Sequence, residues 1–281
     1  MRINHNISSM ITQNSLGQVN KALSKSLERL STGLRINRAS DDAAGLGVSE
    51  QLRTQITGMS VAKRNASDGI ALLQIAEGAA NEVSSMLQRM RELAVQSSND
   101  TLTSTERSYT NQEYQALLSE IDRVTNVTQY NNQTLLAGGT TSFGGASSAS
   151  SVLHIGPNSG STNALTISIG GTSTGAIGVS GTSVDSQSRA NAAISSIDTA
   201  INSINSMRSD LGAYINRLEH AINNLDNQAT NTQSAESLVR DVDFADETVN
   251  FTRNQILTQS STAMLAQANS VPQSVLTLIG R

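Results

Sequence analysis

The chain has 281 residues, of which 37% are hydrophobic and 2% aromatic, with no Trp and no Cys. A compact sphere takes core volume from aromatic rings, whereas a thin helical bundle fills its seam with Leu, Ile, Val and Ala, so this composition points to an elongated helical molecule. The lack of Cys excludes disulfides and thiolate chemistry, and the net charge of −4 divides into +5 over residues 1–40, −11 over 41–247 and +2 over 248–281.

Basic ends raise a nucleic-acid reading, but these arms are apolar-periodic and lack aromatic stacking residues, so no nucleic-acid partner is expected. No window approaches the roughly 18 unbroken apolar residues of a membrane span, and no membrane partner is expected either. The opening MRINHNISSM lacks the charged start and long apolar run of a secretory signal, so if the protein leaves the cytoplasm it is expected to do so by a route that reads no cleavable signal.

The first helix is expected over 3–34. Ile3, Ile7, Met10 and Ile11, then Leu16, Val19, Leu23, Leu27, Leu30 and Leu34, recur at threes and fours, with Gly33 as a terminator. Ser40, Asp41 and Asp42 supply cap chemistry for a second helix. Its stripe runs through Val48, Leu52, Ile56, Met59, Ala62, Ala66, Ile70, Leu73, Ala76, Ala80, Val83, Leu87, Met90 and Ala94. That length spans about 80 Å. Gly58, Gly69 and Gly78 lower its intrinsic propensity, so packing must hold it. Ser97–Thr101 reads as a turn, and Thr103 with Glu106 as a capping box opening a third helix, with Tyr109, Leu117, Ile121, Val124 and Thr128 on one face.

Residues 130–186 turn to Gly, Ser, Thr and Asn, and carry β-type runs at Val152–Ile155 and Leu165–Ile169. They read as a small hairpin-rich insert, partly mobile, without a large core of its own. Over Ala190–Leu225 the pattern is heptad. Ile194, Ile201, Arg208, Ile215 and Ile222 share one position, and Ile197, Ile204, Leu211, Leu218 and Leu225 the position three residues later. Such a stripe marks a coiled-coil seam about 50 Å long that needs partner helices. After an acidic break at Ser237–Glu247, a last helix carries Leu257, Met264, Ala268, Val271, Val275 and Leu278, with Pro272 expected to kink it. Antiparallel pairing of the two terminal helices closes the fold. The fold class is therefore mainly α, an elongated antiparallel helical bundle or coiled coil formed by both chain ends, with a small β-hairpin-rich insert.

Chemistry is not visible. His5, His154 and His220 are scattered without acids at ligand spacing. Asp241, Asp243, Asp246 and Glu247 lack the central Gly and twelfth-position Glu of a calcium loop and read as helix caps. No GxSxG or HExxH occurs, and N-x-S/T triplets, among them those at Asn6, Asn65, Asn126 and Asn132, are no more than an Asn-, Ser- and Thr-rich chain produces by chance. No catalytic, cofactor or metal residues are expected, and the chain reads as a non-enzyme. Gln88, Arg89, Arg91, Glu92 and Gln96 form a polar helix face, in the first instance a solvated one with local ion pairs.

Four runs are more specific: INHNISSM from Ile3, RINRASDDAAGLGVSEQLR from Arg35, LQRMRELAVQSSND from Leu87, and RDVDFADETVNFTRNQILTQSSTAMLAQANSVPQSVLTLIGR to the end. They closely resemble bacterial flagellin over about 1–138 and 187–281. The resemblance implies an inner-core helix at 1–40, outer-core rod segments at 41–129 and 187–240, a short variable β-rich insert at 130–186, and a second inner-core helix at 241–281. It further implies a structural subunit that self-assembles through its terminal helices into a helical filament, a motility propeller, after unfolded export by the flagellar type III system. The assembly residues would be Ile3, Ile7, Ile11, Leu16, Val19, Leu23, Leu27 and Leu30 with Leu257, Met264, Ala268, Val271, Val275 and Leu278.

Implied partners are other copies of the chain, filament cap and hook-associated proteins, an export chaperone bound at about 241–281, and a Toll-like innate immune receptor contacting Gln88, Arg89, Glu92, Leu93 and Glu113. The implied location is an extracellular flagellum, or a periplasmic one if spirochaete-like. The tail departs from the family pattern by ending Leu-Ile-Gly-Arg. Within the same class the rival reading is a hook-associated junction protein. A flagellin-framed enzyme would need a catalytic insert, and a free coiled-coil adaptor would stay soluble at any concentration.

Overall fold

The computed structural model describes residues 5–138 and 151–279, and for 271–279 the backbone alone. Ile3 lies outside the described residues, as do the side chains of Val271, Val275 and Leu278. The helices are α1 (Ile7–Thr32), α2 (Ala43–Ser98), α3 (Ser104–Val127), α4 (Gln187–Arg240) and α5 (Phe244–Ile279). Among the described residues two short antiparallel hairpins stand between α3 and α4: β1 (Gln129–Tyr130) with β2 (Gln133–Thr134), and β3 (Ser151–His154) with β4 (Ala164–Ile167). The chain forms two compact units, Met1–Thr54 with Asn231–Arg281, and Gln55–Thr230.

Local chemistry sets most helix ends. Asn6 caps α1 by accepting the Ser9 N–H at 3.1 Å, and Gly33 ends it at φ +72, with its own N–H bonded to Arg29 O at 2.8 Å. Asp42 Oδ1 accepts the Gly45 N–H at 2.9 Å at the start of α2. The capping box at Thr103 and Glu106 is complete, and the Thr103 N–H holds the Glu106 carboxyl below the usual range. Asp243 caps α5, accepting from Ala245 N at 2.8 Å and Asp246 N at 3.3 Å. The acidic cluster therefore does capping work. The helix of α5 continues through Pro272 to Ile279.

The Gln55–Thr230 unit is organised by α2 and α4. One cluster joins Val83, Leu87, Met90 and Ala94 to Ala190, Ala193, Ile197 and Ile204. The next joins Ala66, Leu73 and Ala76 to Leu211 and Leu218, and the last Met59 and Ala62 to Leu225. Partners fall along α2 as they rise along α4, which is antiparallel packing. The expected α2 stripe is buried from Met59 to Ala94, apart from half-buried Ile70. In α4 the two heptad positions are unequal. Ile197, Ile204, Leu211, Leu218 and Leu225 are buried, while Ile194, Ile201, Ile215 and Ile222 are only partly so.

The expected face of α3 needs a correction. Tyr109 is exposed, and the buried side chains are Tyr114, Leu118, Ile121 and Thr125. Five residues apart at 3.6 per turn, Tyr109 and Tyr114 point about 140° apart, so they cannot share a stripe. Tyr114 can be buried because its hydroxyl meets Thr182 Oγ1 at 2.6 Å, and burial raises its phenol pKa.

The stretch after α3 is built into this core. Asn131 and Asn132, at φ +49 and +63, turn the first hairpin in the left-handed region that Asn tolerates. Leu135, Leu136, Leu165, Ile167 and Ile169 join the second cluster, and Ile177, Val179 and Val184 the first. Polar bonds tie the same stretch to α3. Asp122 accepts from Thr174 N and Oγ1, both at 2.9 Å, and Asn111 Oδ1 accepts from Val184 N at 3.0 Å. Buried Thr125 and Thr172 share a 3.0 Å hydroxyl bond.

Candidate self-assembly interface

In the Met1–Thr54 and Asn231–Arg281 unit the two ends of the chain meet. Asn6 Nδ2 donates to Ala268 O at 2.9 Å, Arg29 reaches Glu247 at 3.3 Å, and Val242 N donates to Gly33 O at 3.0 Å. As the first partner steps from 6 to 29 to 33, the second steps down from 268 to 247 to 242, so α1 and α5 pair antiparallel. A bridge of Leu34 with Asp241 and the bond from Arg35 N to Arg240 O at 2.7 Å close the base of the pair. Arg240 Nη1 also holds Glu50 at 2.8 Å. Asp41 sits beside this base with its carboxyl drawn down to about 2, first by the hydrogen bond from Lys25 and then by the Arg38 N–H.

The shielded face of α1 runs through Ser9, Thr12, Leu16, Val19, Leu23, Ser26 and Leu30, spaced by threes and fours. The matching face of α5 runs through Glu247, Phe251, Asn254, Thr258, Ser261, Leu265 and Ala268. Seven of the fourteen residues on the two faces are polar, so the seam is only half apolar. Ser26 is the one fully buried side chain of α1. Meanwhile Ile7, Met10, Ile11 and Leu27 on α1, and Phe244, Val249, Ile256, Leu257 and Met264 on α5, are exposed, Ile11 by 64% and Ile256 by 66%.

The residues expected to drive assembly thus divide. Leu16, Val19, Leu23, Leu30 and Ala268 are half-buried in the pair, and Ile7, Ile11, Leu27, Leu257 and Met264 face outward. Phe244, Val249 and Ile256 were not anticipated. They lie off the 257–264–268 stripe, and their signal was the spread of apolar residues over more than one face of α5.

The polar face on α2 is also defined. Gln88, Arg89, Glu92 and Glu113 are exposed, and Arg89 bonds Glu92 and Glu113, each at 2.9 Å. Glu92 first and then Glu113 raise the guanidinium pKa. Arg91 pairs with Asp198 at 2.6 Å, and Gln88, Arg91, Glu92, Val95 and Gln96 line a shallow groove. Leu93 is not on this face; it is buried beside Met90 in the core. Among the described residues no three His, Asp or Glu come together as a metal site, and no helix is long and apolar enough to cross a membrane.

Comparison with known proteins agrees with this geometry. Residues 3–141 match the bacterial flagellin N-terminal helical region and residues 194–279 the bacterial flagellin C-terminal helical region. The chain is 45% identical to flagellin FlaB2 of Treponema pallidum over 288 residues, covering 99% of this chain and 100% of that one. It is 46% identical to a flagellin of Halalkalibacterium halodurans over 279 residues with the same coverage. Among solved structures, Bacillus cereus flagellin superposes with TM-score 0.51 at 29% identity, covering 62% of this chain and 94% of that one. A putative flagellar hook-associated protein from Vibrio parahaemolyticus gives TM-score 0.58 at 15% identity over 71% of this chain and 99% of that one, a likeness of fold alone. Matched at both terminal regions and along the whole length of its relatives, the chain belongs to the bacterial flagellin family and is a structural subunit of the flagellar filament.

Proposed function

We propose that the α1–α5 pair is the surface through which copies of this chain polymerise. Ile3, Ile7, Ile11, Leu16, Val19, Leu23, Leu27 and Leu30 act together with Leu257, Met264, Ala268, Val271, Val275 and Leu278. The observation that carries this reading is the row of exposed apolar side chains on a pair whose own seam is half polar. Exposed apolar surface of this extent marks an interface. Burying the remaining half of an Ile, Leu, Met, Val or Phe contributes about 1 kcal/mol each. Nine such residues on the described part of the pair hold a gross gain of roughly 10 kcal/mol, from which ordering and association costs are subtracted. The helices become fully ordered as neighbours cover them, and head-to-tail contacts between identical subunits that do not close propagate a helix.

The finer partners follow from the same surfaces. The export chaperone engages 241–281 before assembly, when Phe244, Val249 and Ile256 are uncovered. Cap and hook-associated proteins meet the filament ends through the same helices. A Toll-like innate receptor reads Gln88, Arg89, Glu92 and Glu113, with Leu93 supporting that face from beneath. The filament is extracellular. Antibody labelling of intact cells tests this, since a periplasmic filament would label only after the outer membrane is opened.

The deciding experiment is seeded polymerisation of the purified chain, followed by light scattering and electron microscopy, beside a variant lacking 1–34 and 248–281. Filaments from the full chain and none from the truncated one are expected. Equal polymerisation of both would refute assembly through the terminal helices. Failure of both would favour the junction-protein reading.

A further inference from the structure

We infer that Met10 and Met264 are two oxidation sites, one on each terminal helix, that govern whether the chain can assemble. The inference rests on the assembly surface proposed above. Among the described methionines these two are the exposed ones, by 65% and 59%; Met59 and Met90 are buried, and Met86 and Met207 are packed against the helical core. Both exposed residues lie on the terminal pair, one on each helix. They stand at one level of the pair, each turned away from the seam. Asn6 meets Ala268, and one turn further along each antiparallel helix stand Met10 and Met264, at the same level of the pair. Ile7, Ile11 and Leu257 flank them, so the two thioethers sit inside the apolar surface that neighbours are proposed to cover.

The chemistry requires only hydrogen peroxide. A sulfur lone pair attacks one peroxide oxygen, an S–O bond forms as the O–O bond breaks, and water leaves. The thioether loses two electrons to become the sulfoxide, and the peroxide gains them. The product is polar and chiral where an apolar, flexible side chain stood. A sulfoxide oxygen is well solvated on the free chain and stripped of water in the packed filament. The modification therefore penalises the assembled state and leaves the monomer's fold intact. Sulfoxide reductases reverse it. Assembly itself shields the sulfurs, so finished filament resists the oxidant that disables free subunits.

The test oxidises free chain with hydrogen peroxide, locates sulfoxides by peptide mass spectrometry, and measures seeded elongation. Oxidation is expected first at Met10 and Met264, with elongation slowed about tenfold or more and restored by methionine sulfoxide reductase. The double variant Met10→Leu with Met264→Leu, with its helix content checked by circular dichroism, is expected to elongate equally before and after peroxide. In the unsubstituted chain, the loss of elongation with peroxide dose is expected to track sulfoxide occupancy at these two sites, which serves if the variant folds poorly. Elongation within twofold of untreated chain at full occupancy of both sites overturns the inference, as does equal inhibition of the Leu variant. Failure of unoxidised chain to elongate at all overturns instead the assembly reading beneath it.

Discussion

Two glycines of α2 make a sharp test of how the helical core is seated. A Cβ at Gly78 would meet nothing within 4 Å, whereas one at Gly69 would collide with Leu153 Cδ2 of β3 and lie 3.4 Å from Leu218 Cδ1. Both are interior helical positions, so Ala should contribute the same propensity gain at each, about 1 kcal/mol. At Gly78 nothing opposes it. A melting temperature higher by about 2–4 °C follows for a unit of this size. At Gly69 the gain is set against overpacking of about 1–3 kcal/mol, because Leu153 must leave its place beside the second core cluster. The net expectation is a loss of about 1 kcal/mol, and the two variants should differ by about 1–3 kcal/mol. Thermal and urea unfolding of the depolymerised chain, read by circular dichroism, measures both. Adding Leu153→Ala to Gly69→Ala should recover part of the loss beyond the sum of single effects. If Gly69→Ala and Gly78→Ala shift stability equally and in the same direction, the hairpin does not rest on Gly69 and the reasoning fails.

Three further outcomes are expected. Tyr114→Phe leaves the ring packed but removes its bond to Thr182, costing about 1 kcal/mol in urea unfolding; no change would mean that the hydroxyl is solvated. Arg208 holds the one non-aliphatic site of the ten heptad positions, and its Nε is buried without a hydrogen-bond partner among the described residues. Arg208→Leu should therefore stabilise by about 1–2 kcal/mol, whereas destabilisation would show that the guanidinium is well bound. Asp41, drawn down to about 2, is depressed in the folded chain, so its contribution is present above the ordinary carboxylate value near 4 and lost as pH falls through about 2. Acid unfolding monitored by NMR should show that loss between about pH 4 and 2, and Asp41→Asn should flatten it.

Much of this architecture is legible in residue order because helices are local objects. The threes-and-fours of α2 and the heptads of α4 state which residues face inward, since 3.6 residues per turn leave one stripe per helix. The Thr103–Glu106 box and Gly33 state where helices begin and end, because capping involves neighbours three or four residues away. The strands at 151–154 and 164–167 follow from short β-branched runs in a Gly- and Ser-rich setting. The terminal apolar helices point in the same local way to the assembly surface proposed above.

What the tertiary structure alone decided is which side of a stripe is closed, and by what. The five residues from Ile197 to Leu225 are buried and their heptad partners from Ile194 to Ile222 half-open because of where α2 and the 165–184 stretch lie. Tyr114 replaces Tyr109 as the buried ring because Thr182, 68 residues on, satisfies its hydroxyl. Leu93 turns out to be core, not surface, for the same kind of reason. In α5, apolar residues occupy several faces, so periodicity could not say which face α1 covers; the antiparallel register did, leaving Val249, Ile256 and Met264 outward. Spacing along a helix is set by its own geometry, but the choice of face depends on partners far away in sequence, and no local pattern encodes them.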